Sequence, residues 1–239
     1  MSSRMFYSVN TIYPAWMGEV NYKGIGYPCV FVRLAGCNLR CYEKTKGGLC
    51  DTPEALTKKC GTAMPVEQIL LEAAGYGTDL ICLTGGEPLL QMCDELLWGF
   101  SKMGIHVVVE TNGSKTIKDY KRIPNVSFVM DWKAPSTGEN EKMLEENLRY
   151  LGVEDFVKFV IDDEDDFQDM LKVYRSDPMR AYNIAVGTFW GSKMSYMELM
   201  KRIREENLNV YLNCQQHKML MLYDKERDNL SEIFIPKEL

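Results

Sequence analysis

The stretch Val30-Phe31-Val32-Arg33-Leu34-Ala35-Gly36-Cys37-Asn38-Leu39-Arg40-Cys41-Tyr42, followed by Cys50-Asp51-Thr52, decides how this chain reads. Its first part is a short apolar run closed by a glycine, the pattern of a buried strand. The three cysteines therefore sit on the loop that leaves the strand's C-terminal end, where α/β folds place their chemistry. Three thiolates are an odd number for a disulfide framework and one short of a closed tetrahedral zinc site. They suit a four-iron cluster, which cysteine thiolates hold and which can leave one iron open to another ligand.

Outward from this loop, strands alternate with helices. Phe6-Tyr7-Ser8-Val9 reads as a short first strand, and residues 10–26 show no clear periodicity. A helix over 64–74 has Pro65 near its start and Gly75 at its end. The strand 79–83 runs into Thr84-Gly85-Gly86-Glu87-Pro88, with a helix over 89–103. Strand, glycine turn and helix let backbone N–H groups approach a charged ligand. The strand 105–109 ends in Glu110-Thr111-Asn112-Gly113, and 126–130 ends in Asp131-Trp132-Lys133-Ala134-Pro135-Ser136. A helix over 139–151 and a strand over 156–161 come next. The acidic run 162–166 caps a helix over 167–174 in preference to holding a metal. Strands over 182–186 and 208–212 flank a helix over 195–206; they end in Gly187-Thr188-Phe189-Trp190-Gly191 and Asn213-Cys214-Gln215-Gln216-His217-Lys218. This alternation predicts an α/β fold with a parallel sheet and a site on the rim of strand C-termini.

Composition excludes several classes. The chain has 239 residues, 46% hydrophobic and 26% charged, as expected of a globular protein with a sizeable core. A formal net charge of -6 argues against a generic nucleic-acid binder. No apolar run reaches the length of a membrane span, and residues 1–6 lack the pattern of a signal peptide. The expectation is a cytoplasmic protein whose eight cysteines stay reduced. Cys29, Cys82 and Cys214 fall in expected strands as small buried hydrophobes. His106, inside an apolar strand, reads as a satisfied core or edge residue.

The segment from Phe31 to Cys41, with Cys50-Asp51-Thr52-Pro53, resembles the 7-carboxy-7-deazaguanine synthase family of radical S-adenosylmethionine (SAM) enzymes. Cys-x3-Cys opens that superfamily's Cys-x3-Cys-x2-Cys pattern. Here the second gap is eight residues, so the segment from Glu43 to Leu49 carries a six-residue insertion, and its Gly47-Gly48 pair permits a tight turn. Gly85-Gly86-Glu87-Pro88, Glu110-Thr111-Asn112-Gly113, Lys133-Ala134-Pro135-Ser136 and Gln215-Gln216-His217-Lys218 are further matches. Two departures stand out. Met17-Gly18-Glu19-Val20 occupies the place of a Gln-Gly-Glu-Gly substrate turn, and the segment from Gly187 to Gly191 lacks the proline of a SAM-contacting turn.

The resemblance spans Phe6 to Lys218. It implies an incomplete (β/α) barrel of the radical SAM type, one domain over 1–239 with a cluster loop at 36–60 and a tail at 219–239. On this reading Cys37, Cys41 and Cys50 ligate a [4Fe–4S] cluster. Gly85, Gly86, Glu87, Asn112, Asp131, Trp132 and Lys133 contact SAM. Thr52 contributes its hydroxyl to Mg2+, although it also stands where a helix N-cap before Pro53 would. Gly18, Glu19, Arg33, Thr84, Gln215 and His217 face the substrate, with a solvated loop carboxylate as the alternative for Glu19. An arginine inside an apolar strand needs a partner, because a charge buried unpaired is costly. The implied reaction converts 6-carboxy-5,6,7,8-tetrahydropterin to 7-carboxy-7-deazaguanine with loss of ammonia, for deazapurine (queuosine- or archaeosine-type) biosynthesis. The implied partners are a flavodoxin- or ferredoxin-like reductant and a second copy in a homodimer, with no direct nucleic acid and no membrane. Two other readings share part of the pattern: a radical SAM activase acting on a partner protein's glycine, and a structural zinc module using Cys37, Cys41, Cys50 and Cys60.

Overall fold

Alternating side chains give each strand two faces, and in this chain the two faces have different fates. The computed structural model describes residues 5–48, 50–216 and 218–220. β1 (Phe6–Trp16) and β2 (Pro28–Leu34) form an antiparallel pair. The cluster-loop insertion holds a short helix, α1 (Glu43–Lys46), and β3 (Thr62–Pro65) then pairs with the start of β1. From there the order is α2 (Val66–Ala74), β4 (Leu80–Gly85), α3 (Asp94–Lys102), β5 (His106–Thr111), β6 (Val126–Trp132) and β7 (Phe156–Val160). α4 (Glu164–Ser176), β8 (Asn183–Gly187), α5 (Tyr196–Glu205) and β9 (Tyr211–Leu212) complete it.

The sheet order is β3-β1-β2-β4-β5-β6-β7-β8-β9, and every pair from β2 to β9 is parallel. β3 and β9 lie at opposite ends of this order, so the sheet is an unclosed barrel. Val30, Val32, Val107, Val109, Phe128, Met130, Val157 and Phe159 turn to the helix-covered face, where they pack with Ile69, Leu96, Phe100 and Phe167. Cys29, Cys82, Val108, Val129 and Phe156 form a second apolar cluster on the other face. Two residues further along β4, β5, β6 and β7, that face carries Thr84, Glu110, Asp131 and Lys158, and on β2 Arg33 stands two residues beyond Phe31, which packs on the same cluster. Period two thus places a polar layer directly above an apolar one.

Several elements depart from the sequence-based expectations. β1 continues to Trp16 instead of stopping at Val9, because β2 supplies its hydrogen-bond partners up to Trp16 opposite Pro28. The helix expected over 139–151 is two 3-10 turns, Asn140–Lys142 and Glu145–Arg149. Fully buried Asn147 overrides local propensity there: it accepts from Ile117 N at 3.1 Å and donates to Gly113 O and Lys115 O. The helix expected over 89–103 is broken by Met92 at φ 52°, leaving a 3-10 turn and then α3. Asp163 caps α4, as the acidic run predicted, but the helix begins at Glu164 rather than 167. β9 shrinks to two residues, and Cys214, two residues past its end, is half-buried.

All eight cysteines are free thiols, and Cys29 and Cys82 are buried as expected. His106 is buried, bonds Ser127 at 2.9 Å and stacks on Tyr22, and burial lowers its pKa to about 4. Among the described residues no helix is long and apolar enough to cross a membrane. Residues 221–239 of the expected tail lie outside the described residues.

The ends of β2 and β4 approach each other so closely that only glycine fits. Gly86 N donates to Leu34 O at 3.1 Å and Glu87 N to Gly36 O at 2.8 Å. A Cβ on Gly86 would collide with the Gly36 carbonyl and stand 2.7 Å from Ala55 O, all rigid backbone. Gly86→Ala is expected to destabilise the protein by about 2–3 kcal/mol in urea unfolding, the scale of overpacking; an unchanged midpoint would contradict this close approach.

Candidate active site

The cysteine loop is anchored before it reaches its thiols. Gly36, at φ 110°, donates to Ala55 O, and Cys37 N donates to Leu56 O. These bonds tie the loop to the 3-10 turn Pro53–Ala55, which Thr52 precedes without a side-chain cap. Cys37, Cys41 and Cys50 then line one cavity of about 150 Å³, together with Thr52, Gly85, Gly86, Asn112 and Lys133. Two donors face the Cys37 sulfur, Leu39 N at 3.4 Å and Asn112 Nδ2 at 3.7 Å. Burial pushes the Cys41 thiol up to about 11 against the lowering pull of Lys133, and burial raises Cys50 as well. A bound cation would reverse that preference and hold thiolates. Among the described residues no three His, Cys, Asp or Glu side chains gather tightly enough for a single metal ion. Cys60 is exposed against the Thr57 hydroxyl and forms no fourth ligand.

The insertion is packed down. Tyr42 sits in the left-handed region at φ 62°, a conformation that strains a bulky residue by about 1–3 kcal/mol. Its carbonyl accepts from Lys46 N and Gly48 N, and its N–H donates to Thr137 O at 2.8 Å. Thr45 Oγ1 donates to Ser136 O at 2.6 Å. These bonds hold the loop against the rim while Gly47 and Gly48, both at positive φ, turn it back toward Cys50.

Around the cysteines, the expected cofactor contacts separate into wall and support. Gly85, Gly86, Asn112, Asp131 and Lys133 line the cavity. Glu87 stands behind them, fully buried. Its carboxylate accepts from Leu89 N at 3.0 Å, Thr111 Oγ1 at 2.9 Å and Asn112 N at 2.7 Å. Burial raises its pKa against those three donors. The Glu87 carboxylate therefore fixes Asn112 and the backbone at Leu89 in place behind the cavity. Trp132 contributes to an adjoining cavity of about 280 Å³, but its ring packs 6.2 Å from Phe159 in the helix-side core. Lys133 Nζ meets Asp131 Oδ2 at 2.7 Å. Burial would lower the Lys133 pKa, yet Asp131 and Cys41 raise it overall.

A third cavity, of about 360 Å³, shares Glu19, Thr84 and Glu110 with the cysteine cavity. Gly18, Glu19, Arg33, Thr84 and Gln215, the residues the resemblance assigns to substrate, all line it, joined by Tyr13, Phe31 and Glu110. Tyr13 and Phe31 stack at 5.4 Å. Arg33 has found its partners, Glu54 at 2.6 Å and the Tyr13 hydroxyl at 3.1 Å, while its Nε is buried without one. Thr84 Oγ1 donates to Glu110 at 2.8 Å. Glu19 accepts from Lys158 Nζ at 2.7 Å, Asn213 Nδ2 at 2.9 Å and Gln215 Nε2 at 2.9 Å. Burial works to raise the Glu19 pKa, but the Lys158 ammonium and these hydrogen bonds bring it down to about 2. The solvated-loop alternative for Glu19 does not describe this carboxylate. His217 lies outside the described residues.

Sequence reasoning missed Lys158 and Glu110. Lys158 lies 2.7 Å from Glu19 and 3.9 Å from Asp131, with Glu110 adding to the field that, against burial, raises its pKa. The signal was available: a single lysine inside Phe156-Val157-Lys158-Phe159-Val160 poses the same question as Arg33. Burial raises Glu110, with Lys158 opposing, and it borders both the cysteine cavity and the third cavity.

No protein-family model matches the chain. It is 36% identical over 201 residues to a 7-carboxy-7-deazaguanine synthase of Methanospirillum hungatei JF-1, covering 82% of this chain and 79% of that protein. A 7-carboxy-7-deazaguanine synthase of Thermoplasma acidophilum is 31% identical over 217 residues, covering 89% and 96%. The fold is similar to the crystal structure of QueE from Escherichia coli, with a TM-score of 0.66 at 21% identity over 89% of this chain and 95% of that one. Streptococcus suis SuiB gives a TM-score of 0.51 at 14% identity, over 87% of this chain and 52% of its own.

Lys158→Met removes the cation that Glu19 and Asp131 share, and breaking a buried pair costs about 3–5 kcal/mol, read by urea unfolding at neutral pH. The Glu19 pKa is lower in the fold than its ordinary 4.5, so its contribution is complete above 4.5 and lost as pH falls toward about 2. The variant is expected to lack that loss; an unaltered acid limb would refute the pairing.

Proposed function

Because the chain belongs to the 7-carboxy-7-deazaguanine synthase family, whose members are radical SAM lyases, we propose that its three adjoining cavities hold a [4Fe–4S] cluster, SAM and 6-carboxy-5,6,7,8-tetrahydropterin. The observation that carries this assignment is the cysteine cavity: three thiols face the Gly85-Gly86 wall, and two N–H donors serve one of the sulfurs. Cys37, Cys41 and Cys50 would hold the cluster, and Gly85, Gly86, Asn112, Asp131 and Lys133 would hold SAM beside it. When bound, the cluster and SAM supply the radical chemistry, and the protein binds, orients and excludes side reactions. A glycyl-radical activase or a structural zinc module does not account for synthases 31–36% identical over most of the chain.

The chain's own residues take up the rest. The Tyr13–Phe31 stack offers a flat apolar side to a pterin ring. Glu19 is ionised throughout the physiological range and held in one orientation by Lys158, Asn213 and Gln215, so it suits the N–H groups of the ring's edge. Arg33, with Nε unpartnered, has a donor left for a substrate oxygen. Thr84 keeps Glu110 oriented between the cysteine cavity and the third cavity. The Thr52 hydroxyl donates to Asp51 Oδ1 at 3.0 Å and caps no helix. These are hard oxygen donors of the kind Mg2+ takes along with retained waters. Mg2+ held by Thr52 and the substrate carboxylate is therefore part of the proposal. A flavodoxin- or ferredoxin-like reductant and a homodimer complete it, as the family resemblance implies.

Reconstitution with iron and sulfide without oxygen, followed by SAM, reductant, Mg2+ and 6-carboxytetrahydropterin, is expected to yield 7-carboxy-7-deazaguanine by mass spectrometry. Cys50→Ala is expected to lose both the cluster absorbance and the product. Cleavage of SAM without that product would overturn the substrate assignment. Thr52→Ala is expected to raise the Mg2+ concentration for half-maximal rate by about tenfold, the scale of a lost metal contact; an unchanged requirement would remove Thr52 from the metal site.

A further inference from the structure

Two places where the chain departs from its family's sequence pattern meet in space. One is the insertion that carries α1. The other is the turn after β8, where Phe189 stands in a segment without the expected proline. Lys46, the last residue of α1, joins them. Its Nζ lies 2.6 Å from Asp162 Oδ1, at the turn between β7 and α4. The same ammonium lies 4.7 Å from the centroid of the Phe189 ring and 5.7 Å from that of Tyr42. Those two rings are themselves 5.6 Å apart. Tyr42 and Phe189 both line the 280 Å³ cavity that also takes in Cys41, Asp131 and Lys133.

Asp162 makes this contact obligatory. Its side chain is fully buried, and a buried carboxylate needs a counter-charge. Lys193 also approaches it, at 3.7 Å from Oδ2, but Lys193 is 68% exposed and pairs with Asp163 at 2.7 Å. Lys46 is 21% exposed and closer, so it is the principal counter-ion. Cation–π contact is worth more where the cation is shielded from water. An ammonium between a buried carboxylate and two rings therefore ties three segments of the rim together.

Resting on the radical SAM reading above, we propose that Lys46 is a positioning residue: it latches the cluster-loop insertion to the β8 turn, so that Tyr42 and Phe189 form one wall of the SAM cavity in place of the proline turn. The insertion is then part of the cofactor site and not a partner-binding loop. Lys46 itself touches neither cluster nor substrate in this scheme. It acts through the two rings.

The test uses the reconstituted holoenzyme. SAM is titrated against the electron paramagnetic resonance signal of the reduced cluster in wild type, Lys46→Met, Lys46→Arg and Phe189→Leu. Lys46→Met is expected to keep the wild-type iron content and to weaken SAM binding by about tenfold, with Lys46→Arg restoring most of it. Phe189→Leu is expected to weaken binding similarly, and the double variant Lys46→Met/Phe189→Leu to be no worse than either single one, since both remove the same wall. Wild-type SAM affinity in Lys46→Met, or independent losses that multiply in the double variant, would overturn the latch. If Lys46→Met fails to take up cluster, Phe189→Leu, which leaves Asp162 paired, decides: unchanged affinity there overturns the proposal. A wild-type protein that assembles no cluster overturns the radical SAM reading, and the latch with it.

Discussion

A lysine ammonium inside a barrel of apolar strands sets the terms for the rest of the site. Lys158 is 9% exposed and stands above the apolar cluster of Cys82, Val108, Val129 and Phe156. Such a charge is tolerable only when paired. Glu19 and Asp131 supply the pairing, and they come from the turn after β1 and the end of β6. Each is then held in turn: Glu19 by Asn213 and Gln215, Asp131 by Lys133. One desolvated cation therefore draws together the β1 turn, the end of β6, β7 and the segment after β9. The segments it draws together carry the polar walls of the cavities assigned to SAM and substrate.

The second constraint is close backbone approach. Gly85 and Gly86 let β4 end against Leu34 and Gly36 with no side chain between them. This contact brings the cysteine loop alongside the glycine wall. Buried Glu87 then locks that wall to Asn112 at the end of β5, and Asn112 reaches Cys37. A cavity with rigid glycine and amide edges follows from backbone packing. The Lys46 contact adds a third tie on the same rim, where the insertion meets Phe189.

Much of the fold was legible because its signals are local. The run from Val30 to Leu34 is a strand by its apolar pattern, and Ser195 with Glu198 marks the start of α5 through a capping box. The motif turns fell at strand ends as read. The helix expected over 139–151 failed because Asn147 exchanges hydrogen bonds with a segment some thirty positions earlier, beyond any helical window. Within the site, the cysteines, Gly85, Gly86, Asn112, Glu19 and Arg33 were legible as residue types at strand ends. The hydrogen bonds of the buried Glu87 carboxylate to Thr111 and Asn112 were not, since a motif glutamate reads the same whatever partners the fold brings to it.

The sequence by itself determined the strand-and-turn order, the spacing of the three thiols, and the polar residue near the end of each inner strand. These depend on period-two alternation and on the steric allowance of glycine, both properties of neighbouring residues. Tertiary structure alone decided which charges meet. Glu19 and Lys158 are separated by 139 positions, and nothing within either local segment specifies the other. Their pairing arises because burial makes an isolated charge costly, and the barrel's curvature brings one carboxylate turn over one lysine strand.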